Sequence, residues 1–88
     1  MNHKHRKVLH SLFAHPFNAN ISFREVESVF KELGAEIETR QHNKVHVSLA
    51  GHSANFHHVS HSLDRDAVAQ IRNFIETCGV DPNRDYPL

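Results

Sequence analysis

Lys44, His46 and Ser48 alternate with Val45, Val47 and Leu49 near the middle of an 88-residue chain. A period of two predicts a strand over residues 44–49, with one face on a core and the other free. The free face then carries an ammonium, an imidazole and a hydroxyl on one rigid support. That combination suits an anionic partner, and it suits acid–base chemistry on one. Arg40 lies just upstream, on the polar side of an earlier alternating run. His42 lies in the turn between the two runs, where either direction is open to it. His57 follows on the next apolar run.

Histidine is the compositional outlier, with ten scattered through the chain and no run of six. Imidazole charges below about pH 6.5, so a chain that is formally neutral at pH 7 becomes strongly cationic on mild acidification. Such a composition raises the question of metal binding. His57 and His61 have ligand spacing, and His42, His46, His52 and His58 are close in sequence. Structural zinc sites pair Cys and His at fixed spacings, however, and this chain has one cysteine, Cys78. No metal site and no cofactor are assigned. A histidine-rich metal-binding protein stands as the second alternative reading.

The elements that must position these residues follow from periodicity and punctuation. Val8, Leu9, Leu12 and Phe13 predict a short amphipathic helix over 3–14, broken by Pro16 and Asn18 to Asn20. Ser22-Phe23-Arg24-Glu25 is a capping box that opens a second helix. Val26, Val29, Phe30 and Leu33 form its apolar stripe, and Gly34 stops it. Ala35, Ile37 and Thr39 alternate with Glu36, Glu38 and Arg40, which predicts a strand over 35–41. A tight turn near His42-Asn43 leads to the strand over 44–49. Gly51 marks a second hairpin turn, and 54–58 is a third short strand. Asp64 is the expected N-cap of a last helix over 65–78, with Val68, Ile71, Phe74, Ile75 and Cys78 on its core side and Gly79 as its stop. Residues 81–88, with Pro82 and Pro87, are expected to be a loose tail.

Helix, helix, three antiparallel strands and helix make an α+β architecture, with helices packed on one face of a small sheet and the other face open. Eighty-eight residues amount to a single folding unit with a modest core. Residues 1–20 form its N-terminal helix and connection, 21–80 the central domain and 81–88 the tail. The lone cysteine excludes an internal disulfide framework. No apolar run approaches the length of a membrane span, and the basic N-terminus lacks the apolar stretch of a signal peptide. The expectation is a soluble cytoplasmic protein. Charge is mildly uneven: residues 1–44 hold seven Lys/Arg against five acidic residues, and residues 45–88 three against five. Zero net charge argues against tight non-specific nucleic-acid binding, which leaves a local patch as the route to an anionic partner.

The run from Ser22-Phe23-Arg24-Glu25-Val26 through Leu33-Gly34-Ala35-Glu36, the strand hairpin, Phe56-His57, and the closing Thr77-Cys78-Gly79-Val80 resembles the HicA family over residues 21–80. These are small toxins of bacterial toxin–antitoxin pairs. The resemblance implies a fold similar to a double-stranded RNA-binding domain, cleavage of messenger RNA and a HicB-like antitoxin as partner. The family's Gly-Ser-His strand is replaced here by His42-Asn43-Lys44, so the position of its catalytic histidine falls on Lys44. A lysine holds a phosphate well but is a poor general base near neutral pH. His46, on the same strand face, is the candidate to take over proton transfer. The resulting set is His46 as base, Lys44 and Arg40 as a phosphate clamp, and His57 as acid, with His42 and Ser48 as further RNA contacts. The first alternative is a catalytically inactive RNA- or protein-binding module of the same fold, in which these side chains are an ordinary solvated sheet face.

Overall fold

Helices begin where a side chain can take up their first free amides. In the computed structural model, which describes residues 1–14, 20–59 and 61–88, α1 spans His3–Leu12. The Asn2 side chain caps it, accepting from the His5 amide at 2.8 Å. The expected break at Pro16 and Asn18 lies outside the described residues. α2 spans Phe23–Glu32 and opens with the capping box: the Ser22 hydroxyl accepts from the Glu25 amide, and the Ser22 amide donates to the Glu25 carboxylate, both at 3.2 Å. α3 spans Arg65–Thr77, with Asp64 accepting from the Ala67 amide at 2.8 Å.

Three strands, β1 (Glu36–Thr39), β2 (Lys44–Leu49) and β3 (His52–His57), form one antiparallel sheet in the order β1-β2-β3. Leu49 pairs with His52, so only Ala50 and Gly51 connect β2 to β3. Both have left-handed backbone, φ 53° and 80°, as in the tight turns whose twist matches that of the flanking strands. Gln41–Asn43 form the other connection, a 3-10 turn in which His42 and Asn43 both sit at φ 60°. The first strand is shorter than the alternation of 35–41 suggests, because the chain turns after Arg40. The third starts at His52 rather than residue 54, because the two-residue turn brings His52 and Ser53 into register although neither is apolar.

The core lies between the sheet and the helices. Val45, Val47 and Phe56 point inward from the sheet against Phe23, Val26, Val29 and Phe30 of α2 and Val68, Ile71, Phe74 and Ile75 of α3. Phe30, Phe56 and Phe74 meet with ring centroids 5.8–5.9 Å apart, so one aromatic group joins both helices to β3. Val8, Leu9 and Leu12 of α1 enter the same core. The first helix is therefore part of the packed body. The arrangement is α+β, with helices on one side of an open three-stranded antiparallel sheet.

The expected loose tail is instead a structured turn. α4 spans Pro82–Asp85, with Pro82 buried and Tyr86 packed on the core. Asp81 caps it by accepting from the Asn83 amide at 3.0 Å, and a proline at the first helical position loses no needed amide. His10 Nε2 donates to the Tyr86 carbonyl at 2.7 Å and ties α1 to this end of the chain. No helix among the described residues is long and apolar enough to cross a membrane.

Phe30 is fully buried at the centre of the aromatic group. Phe30→Ala is expected to cost roughly 3–5 kcal/mol, measured by denaturant unfolding; an unchanged midpoint would contradict this packing. A second expectation concerns α4. The Arg84 guanidinium and the Asp81 amide hold the Asp85 carboxyl down at about 2, against 3.8 for a free carboxyl. A lowered folded-state value stabilises the fold above about pH 4, and that contribution fades as pH falls toward 2. Tyr86, the only tyrosine in a chain without tryptophan, should report loosening of α4 in that window. Asp85→Asn should flatten the change, and an identical acid limb in both proteins would refute the assignment.

Candidate nucleic-acid interface

Cross-strand partners in an antiparallel sheet share a face. The register of β1, β2 and β3 therefore writes the open face as rows. Glu36, Ser48 and Ser53 form one row, and Glu38, His46 and Asn55 the next. Lys44 pairs with His57, and the Arg40 amide donates to the Lys44 carbonyl at 2.6 Å, which continues the register by one residue. Arg40, just past the end of β1, thus forms a third row with Lys44 and His57. All three are exposed. The face is polarised, with the cations at one end and Glu36 at the other.

A hollow of about 340 Å³ lies at the cationic end, lined by Arg40, Lys44, Asn55, Phe56 and His57. Arg40 contacts Glu38 at 3.5 Å, but the two side chains are 52% and 68% exposed. Solvent makes such a pair weak, so Arg40 can exchange the carboxylate for a phosphate at little cost. His46 is held in place: its Nδ1 lies 2.9 Å from Asn55 Oδ1. With the amide oxygen as acceptor, Nδ1 carries the proton and Nε2 of the neutral ring keeps its lone pair. A ring in that tautomer can accept a proton at Nε2. His57 is the diagonal neighbour of His46, roughly 7–8 Å away between backbones. That spacing leaves room for a phosphate between two hydrogen bonds of ordinary length.

The other candidates lie elsewhere. Ser48 is on the open face but in the Glu36 row, roughly 13 Å from Lys44 by strand rise. His42 is in the turn beyond the strand ends, exposed, with left-handed backbone. Asn55 is the residue that sequence reasoning left unassigned. The signal for it was present: a two-residue turn at Ala50-Gly51 sets Leu49 opposite His52, and counting back puts His46 opposite Asn55.

Several remaining histidines act as fasteners. His5 Nδ1 lies 2.7 Å from Glu32, and His58 Nδ1 lies 3.0 Å from Glu27, both on α2. His61 Nδ1 donates to the Ser62 carbonyl. Among the described residues, no three His, Cys, Asp or Glu side chains are grouped as metal ligands would be. The Cys78 thiol donates to the Leu49 carbonyl at 3.4 Å, and burial pushes its pKa up, which makes it a poor nucleophile near neutral pH. A larger hollow, about 670 Å³, lies between His10, Phe13 and the turn around α4. Two of its polar groups hold that turn: Asp81 caps α4, and Arg84 binds Asp85 and the Gly79 carbonyl.

If Asn55 sets the His46 tautomer, nitrogen NMR of the neutral ring should show the proton on Nδ1, and Asn55→Ala should return it to the usual mixture dominated by Nε2–H. Identical spectra for the two proteins would remove Asn55 from this role.

No protein-family model matches the chain, and neither the curated proteins nor the solved structures contain a match.

Proposed function

We propose that the open sheet face binds the phosphodiester backbone of RNA, and that the chain is a HicA-like toxin that cleaves messenger RNA in the cytoplasm. The observation that carries this reading is the row of Arg40, Lys44 and His57, with His46 held beside it by Asn55. Two further features agree with it. The order α2-β1-β2-β3-α3 is the one the HicA resemblance implies for residues 21–80. His42 stands where that family has glycine, and its backbone is in the left-handed region that glycine enters freely.

The chemistry needs no metal. His46 Nε2 takes the proton of a ribose 2′-hydroxyl, whose oxygen attacks the adjacent phosphorus. Arg40 and Lys44 hold the two non-bridging oxygens as negative charge gathers on them. The bond from phosphorus to the 5′-oxygen breaks, and His57 in its protonated form gives that oxygen a proton. The products are a 2′,3′-cyclic phosphate and a free 5′-hydroxyl. A HicB-like antitoxin is the expected partner, and covering this face would silence it.

The second reading, a module that binds RNA without cutting it, is favoured by Lys44 itself, since it occupies the position of the family's histidine. One experiment separates the two. Induced expression in a bacterial host should arrest growth and deplete messenger RNA, and His46→Ala should abolish both effects while RNA binding persists. Lys44→Ala should weaken RNA binding for every sequence and reduce its salt dependence by about one counterion. Growth without arrest, together with salt-sensitive RNA binding, would establish the non-cutting module. Absence of binding at low salt would overturn both.

A further inference from the structure

A second hollow lies around the edge of β3 from the cationic row, between that strand and the first two turns of α3. Its volume is about 240 Å³. Phe56, Leu63, Ala67 and Ile71 supply apolar walls, while Asp66 and Gln70 stand exposed at the mouth. His57 and Phe56 line this hollow and the phosphate hollow alike. The two are therefore neighbours, with Phe56 and His57 at their junction.

The size and the polar groups restrict what fits. Binding pockets for drug-sized ligands run from about 300 Å³ upward, so this one suits a single flat ring system. A carboxylate accepts hydrogen bonds and donates none, whereas a carboxamide does both. A ring that presents an amino group beside a carbonyl or ring nitrogen meets both partners. Asp66 repels phosphate, which keeps the backbone of a nucleic acid on the Arg40–Lys44 side.

We infer that this hollow is a nucleobase pocket selective for a base with an exocyclic amino group, and that His57 marks the step from base to phosphate. The inference rests on the RNA-binding reading and adds sequence preference to it. Phosphate contacts position a nucleic acid, and contacts to base edges specify it. The carboxylate of Asp66 accepting from an amino group is a pairing of the kind that separates cytosine from uracil.

The test uses the full chain and two fluorescent 2′-O-methyl pentanucleotides, all-cytosine and all-uracil, which lack the hydroxyl needed for cleavage. Binding is followed by anisotropy at low salt. The cytosine strand should bind roughly tenfold more tightly. Asp66→Ala and Gln70→Ala should each bring the affinity ratio toward one, and Lys44→Ala should weaken both strands while keeping the ratio. Both pocket variants change exposed side chains, and unchanged thermal unfolding checks that they fold. RNA binding with a ratio of one in the wild type overturns the pocket and leaves the RNA reading standing. A preference that survives both pocket variants also overturns it. Failure to bind either strand overturns the RNA reading, and the pocket with it.

Discussion

The register of β2 is the constraint on which the rest of the molecule depends. This strand is paired on both sides, so its two faces are fixed twice over, once by β1 and once by β3. Burial of Val45 and Val47 under the helices puts Lys44 and His46 outside. A slip of one residue would send Val45 and Val47 to water and drive an ammonium and an imidazole into an aromatic core. The penalty protects both the fold and the open face. The two turns enforce the same alignment, one with left-handed His42 and Asn43, the other with left-handed Ala50 and Gly51.

The sequence showed those parts of the fold that depend on local chemistry. The capping box at Ser22 and Glu25 and the apolar spacings of α2 and α3 required no knowledge of distant contacts. The alternation of β2 was equally clear, because both of its neighbours bury the same face. What escaped was set by pairing or by packing at a distance. His52 and Ser53 are strand residues only because a two-residue turn lays them beside Leu49 and Ser48. α4 escaped because two prolines in eight residues suggest disorder, yet Asp81-Pro82 is a helix start, with a capping carboxylate ahead of a ring pre-set for the first turn.

The candidate site divides in the same way. Lys44 and His46 were visible as a periodic pair, but their relation to Arg40, Asn55 and His57 is a property of three strands together. The hydrogen bond from His46 to Asn55 changes what the imidazole can do, and it joins residues nine positions apart across a turn. Ser48 shares the strand face without sharing the cationic end, a distinction that periodicity cannot make. The abundance of histidine also has a structural component, since His5 and His58 each reach α2 at a glutamate of their own.

The contact between His10 and Tyr86 spans 76 positions of the chain. An early helix that rests on a late turn gains its full set of partners only when nearly all the intervening chain is in place. Closing so long a loop costs more entropy than forming either hairpin, and that cost is recovered only once the core beneath it exists. Loop-closure entropy thus favours the shorter-range contacts of the sheet and of the two helices packed on it over the corner where α1 meets α4. That corner lies away from β2, so its contacts add to the packed body without setting the strand register or the open face it defines.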